Sequence, residues 1–195
     1  MQNKTNPIAL VAGILTLVLI STSIFVPWWS LRVGTPTIAS IEVSPVNLNL
    51  ALMGNSLIFP LIYALNIASA ITLAAGGMIM IIYGLKPNKP YSMKLLGWGY
   101  KKPLFAVILF SAGLLVMFFL VPHFSGFTIP LTGSSILSLP QGMGPDGTNI
   151  SVNVSAGFGW PFYIAIVVAG LCVVTRVYHR KIAVTDTTLL PPSLP

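Results

Sequence analysis

Residues 86–102 read KPNKPYSMKLLGWGYKK, a stretch that carries Lys86, Lys89, Lys94, Lys101 and Lys102 and no acidic residue. An apolar run without a charge lies on each side of it. Short loops rich in Lys and Arg stay on the cytoplasmic side of a bilayer, where anionic lipid and the membrane potential hold them. This stretch therefore sets the orientation of the chain. It also divides the sequence into two halves of one plan: helix, external loop, helix.

Composition leads to the same class. Of 195 residues, 55% are hydrophobic and 7% charged, with a mean hydropathy of +0.89. A soluble domain carries about 25% charged residues, so this chain cannot build a water-facing surface all round. The expected fold is an integral membrane protein, mainly α, at the cell membrane, with four crossings of about 20 residues each. The formal charge of +7 is no nucleic-acid signal. Arg176, Arg180 and Lys181 join the five lysines above at expected cytoplasmic helix ends, where they set topology and meet lipid headgroups. The expected partners are the bilayer and other membrane subunits or copies of the chain, with no nucleic acid.

The first half, 1–85, holds a span at about 8–26, an external loop at 27–56 and a span at about 57–85. The basic cytoplasmic loop is 86–102. The second half, 103–181, holds a span at about 103–121, an external loop at 122–159 and a span at about 160–177. Both termini are expected in the cytoplasm, with a disordered tail at 182–195. The first span also fits a signal peptide, with Lys4 before the apolar core and Ser21-Thr22-Ser23 as a cleavage site. In the loops, SLRV, SIEV, VNLNLAL and TNISVNVSA alternate apolar and polar residues, the pattern of half-buried strands. These are expected to meet as one small extracytoplasmic β cap.

The halves also match locally. Val26-Pro27-Trp28-Trp29-Ser30 parallels Val121-Pro122-His123-Phe124-Ser125, and Phe59-Pro60 parallels Trp160-Pro161. A tandem two-helix pseudo-repeat is one explanation and convergence on the same interfacial task is the other. On either, Pro bounds the helix and Trp28, Trp29 and Trp160 anchor at headgroup depth.

Few residues offer chemistry. Glu42, Asp146 and Asp186 are the only acids and Cys172 the only cysteine, which disfavours paired-carboxylate catalysis and thiolate metal sites. His123 and His179 fall on opposite membrane faces, so they cannot ligate one haem. No catalytic residue, metal site or cofactor is expected, and the chain is not expected to be an enzyme. Asn66 is the one strongly polar side chain in the second span and is expected to make an interhelical contact. Ala64 with Ala68, Ala70 with Ala74, Ser69 with Gly77, and Ala165 with Ala169 have close-packing spacing, and Ser111 with Gly113 marks another face. Asn149 and Asn153 open N-glycosylation sequons in the second external loop. Arg32 and Glu42 are placed to pair across neighbouring strands.

In topology the layout resembles claudin-type four-helix proteins: inside termini, a β-rich first external loop and aromatics just after the first span. It departs from them after Trp28-Trp29, where Ser30-Leu31-Arg32 follows with no cysteine pair, and in its long second loop. The expected function is a structural or accessory subunit presenting an external β-rich surface to a partner. The alternatives are an oligomeric small-molecule carrier or pore with a polar path near Asn66, and an accessory subunit of a membrane redox complex.

Overall fold

Asn6–Pro7 opens the first helix with two suited residues. The Asn6 side-chain oxygen accepts the Ala9 backbone N–H at 3.2 Å, as an N-cap does, and Pro7 stands where a missing N–H costs nothing. In the computed structural model, which describes residues 5–87, 89–125, 128–138 and 151–188, this helix is α1, Pro7–Phe25. It is followed by β1 (Trp29–Val33), β2 (Ala39–Ser44), β3 (Asn47–Leu52), β4 (Asn55–Leu57) and α2 (Pro60–Leu85). Then come α3 (Ser92–Gly99), α4 (Lys101–Ser125), β5 (Gly133–Ser138), β6 (Ser151–Phe158) and α5 (Trp160–Thr188). Among the described residues the chain is mostly helical, with four helices long and apolar enough to cross a membrane and one six-stranded antiparallel sheet.

Contacts divide the chain into two units, and each long helix contributes to both. The first comprises Met1–Val18, Thr72–Val107 and Ala165–Pro195. Here α1 and α2 meet backbone to backbone. A Cβ added to Gly13 would lie 2.8 Å from the Gly77 carbonyl oxygen, and one added to Gly84 would lie 2.7 Å from Leu10 Cγ. The Asn6 N–H donates to the Gly84 carbonyl at 2.8 Å, so the start of α1 satisfies an orphan acceptor at the end of α2. Ala165 and Ala169 are buried, as their spacing predicts; Gly113 faces open space and marks no contact.

The second unit comprises Leu19–Ile71 and Ile108–Ile164. Its sheet runs β4-β3-β2-β1-β6-β5, so the strands of both loops form one sheet, joined where β1 pairs with β6. Across that joint Trp29 stands opposite Phe158, Leu31 opposite Ala156 and Val33 opposite Val154. Alternation turns Trp29, Leu31 and Val154 toward Leu114 of α4, with Phe110, Met117, Val43 and Phe158 packed around them. Each fully buried side chain of this kind contributes about 1.5–3 kcal/mol. Arg32 and Glu42 do pair, at 3.8 Å, but Arg32 is 62% exposed, and such surface pairs contribute about 0–1 kcal/mol. The apolar face holds the sheet.

Several expectations change. The basic stretch is not all loop: α3 occupies Ser92–Gly99 and buries Ser92, Leu96 and Gly99, a helical spacing hidden among lysines and glycines. Pro122 does not end its helix as Pro27 follows the end of α1; α4 continues to Ser125 with Pro122 inside its last turn. Among the described residues the first loop supplies four strands and the second two. Helix α5 continues past 177 to Thr188, into the segment expected to lack structure.

Gly159 is the most tightly enclosed of the described glycines in the sheet-bearing unit. Its N–H donates to the Trp28 carbonyl at 2.9 Å, and an added Cβ would fall on the Pro27 carbonyl oxygen. Gly159→Ala is expected to lower stability in detergent by about 1–3 kcal/mol. Gly170→Ala, in α5 with open space around it, is expected to be neutral or to stabilise by up to about 1 kcal/mol. Thermal unfolding of both variants checks this; equal melting shifts would contradict it.

Candidate functional site

Trp28 and Trp29 are the largest correction among the singled-out residues. Both are 1% exposed, so they are core residues and not exposed anchors. The Trp28 indole N–H donates to the Ser23 hydroxyl at 2.7 Å, which in turn donates to the Leu19 carbonyl at 2.6 Å. Its ring meets Phe110 edge-on at 5.0 Å, and Phe162 beside them stacks on Phe158 at 4.5 Å. Trp29 donates to the Leu131 carbonyl at 2.8 Å, tying the first loop to the second. Ser44 and Asn47, at the β2–β3 turn, donate to the Ser23 and Ile24 carbonyls at 3.0 and 2.9 Å. Those carbonyls belong to the last turn of α1, which would otherwise be unpaired. Trp160, by contrast, is exposed as the first residue of α5.

The sheet face turned away from the helices is polar and nearly without charge. Register sets Glu42 between Ser30 and Asn49, and Arg32 between Ser40 and Ser155. Asn153 is exposed on β6, paired to Ile136; Asn149 lies outside the described residues.

A cavity of about 570 Å³ lies between the β3–β4 hairpin and the first turns of α2. Phe59, Ile62, Tyr63 and Asn66 line it, which are successive positions on one helix face. Asn66 was expected to bond another helix. Instead it is half-buried on this wall, with no hydrogen-bond partner among the described residues. The hairpin turns at Met53–Gly54, both with positive φ, which is the two-residue turn that suits strand twist. Ala64 and Ala68 are exposed, so that small-residue pair makes no helix contact in this chain.

A polar cluster in the other unit had no sequence signal. The Asn6 amide donates to the Tyr83 hydroxyl at 3.4 Å, and that hydroxyl lies 2.8 Å from His179 Nδ1. With Nδ1 unprotonated, the phenol donates to it, and α1, α2 and α5 are joined through one oxygen. Asn6 and Tyr83 are buried. Only their distance in sequence, 77 and 96 residues, hid the cluster. His123 is exposed in α4. Around the basic stretch, Lys102 Nζ lies 5.6 Å from the Trp98 ring centroid and Arg176 Cζ 5.8 Å from that of Tyr100. Lys86, Lys89, Lys94 and Lys101 are exposed; Arg180 and Lys181 lie in α5 with side chains outside the described residues.

No family model matches the chain, and no curated protein is significantly similar to it.

Tyr83→Phe is expected to cost about 1–2 kcal/mol, because it removes the bridging hydroxyl and leaves the buried Asn6 amide without that acceptor. A double-mutant cycle of Tyr83→Phe with His179→Leu, read by thermal unfolding, should return a coupling of about 1 kcal/mol. Additive effects would show that the bridge does not hold.

Proposed function

We propose that the protein is a non-enzymatic, four-helix integral membrane subunit that presents one rigid β surface to a partner protein. In this reading α1, α2, α4 and α5 cross the cell membrane, both termini and the basic stretch are cytoplasmic, and the sheet is outside. The observation that supports it best is the β1–β6 joint, which makes two loops far apart in sequence into a single sheet. Two separately mobile loops would lose conformational entropy on binding; one sheet with an apolar inner face and a polar outer face has already lost it. Among the described residues the outer face holds serines, asparagines and the Arg32–Glu42 ion pair, suited to hydrogen bonding with a partner across an interface.

Helix α4 supports the membrane half of the reading. Phe105, Leu109, Val116 and Phe119 are exposed, and only 6% of its most apolar window is buried. A helix apolar on all sides needs lipid or another apolar helix around it. Cys172, buried and single, packs as a small apolar residue.

The single cysteine makes the test direct. In a Cys172→Ser background, Ser155→Cys and Lys94→Cys are treated in intact cells with a membrane-impermeant maleimide photocrosslinker. The expected result is a protein–protein product in high yield from Ser155→Cys and none from Lys94→Cys until the cells are permeabilised. Tagging of Ser155→Cys with no protein product would sink the subunit reading; tagging of Lys94→Cys from outside would reverse the orientation.

A further inference from the structure

We propose that the cavity between the β3–β4 hairpin and the first turns of α2 binds a neutral lipid whose head carries carbonyl or hydroxyl oxygens. Its volume, about 570 Å³, lies within the range of small-molecule sites, roughly 300–1,000 Å³. The walls are mainly apolar, with Leu50, Leu57, Phe59 and Ile62 offering surface for a hydrocarbon tail. Among the described residues, no Lys, Arg, Asp or Glu lines it. A phosphate head would give up water there without gaining a cation, which is costly, whereas an uncharged head gives up little. The charge character of the cavity thus selects against ordinary anionic phospholipid.

Asn66 supplies the head contact. Its amide offers two donors and one acceptor, on a helix without charge from Pro60 to Leu85. A polar side chain at such a place calls for a partner, and among the described residues it has none. It lies six residues after Pro60, about 9 Å along the helix at ~1.5 Å per residue. With α2 crossing the bilayer, that depth matches the carbonyl and hydroxyl oxygens of a lipid and not its phosphate. Tyr63, one turn earlier on the same wall, adds a hydroxyl. The inference rests on the proposed bilayer placement of α2, which the labelling experiment tests separately.

The test is equilibrium binding by native mass spectrometry of the full-length protein in detergent. Three short-tailed probes are compared: dioctanoylglycerol for a hydroxyl head, decylubiquinone for a carbonyl head, and dioctanoyl-phosphatidylglycerol for a charged one. At least one neutral probe should bind saturably and about tenfold more tightly than the charged probe. Asn66→Leu should weaken that binding about tenfold and Ile62→Trp, which fills the cavity, should abolish it. Ala68→Leu, on α2 outside the cavity, should leave it unchanged, which separates loss of the site from loss of the fold. Which neutral probe binds assigns the head group. No saturable neutral binding, equal binding of all three, or unchanged binding in Asn66→Leu would overturn the proposal.

Discussion

The sheet depends on β1 having a partner along each edge. Trp29–Val33 pairs with Val43–Ala39 on one side and with Phe158–Val154 on the other. The second pairing joins segments more than a hundred residues apart, and closing so long a loop is costly in entropy. Apolar burial of Trp29, Leu31 and Val154 against Leu114 is the term large enough to offset it. Without that joint the described strands would be a four-stranded meander and a separate two-stranded pair, and an isolated strand pair is at best marginally stable.

The same economy of unpaired groups governs the helix ends. Asn6, Ser44 and Asn47 satisfy orphan groups at the ends of helices other than their own or at a distance in sequence. A chain this poor in charge leaves little room for water to do that task, and backbone groups left unpaired in an apolar medium cost several kcal/mol each. Local order at the start of α1 and at the β2–β3 turn is therefore coupled to packing.

Much of this was legible in the sequence. Three of the four apolar runs appear as helices within a few residues of their expected limits, α5 begins where expected but runs on to Thr188, and period-2 alternation located β1, β2, β3 and β6. The joining of both loops into one sheet was expected from the likeness of the two halves; alternation alone does not say which strands pair. What was hidden shares a physical cause. Strand β4 has three residues, too few to show a period, and β5 is a Ser-rich run that gains its place only by pairing with β6. Trp28 and Trp29 carry the composition of headgroup anchors, and only tertiary packing buries them. Asn66 was singled out correctly as unusual, but which group it faces is decided by the β3–β4 hairpin, not by the helix that carries it. The Asn6–Tyr83–His179 cluster joins three helices, and no local pattern announces such a contact.

The most direct measurement is a disulfide across the β1–β6 joint. Arg32 and Ser155 are opposite partners on the polar face, so Arg32→Cys with Ser155→Cys, in a Cys172→Ser background, places two thiols across neighbouring strands. Paired Cα atoms in an antiparallel ladder stand about 4.5–5.5 Å apart, within disulfide reach. The account predicts rapid intramolecular bond formation under mild oxidation in membranes, and much slower formation when Arg32→Cys is combined with Ser151→Cys, further along β6. Failure of the first pair to close, or equal closure of both, would contradict a single sheet built from the two loops.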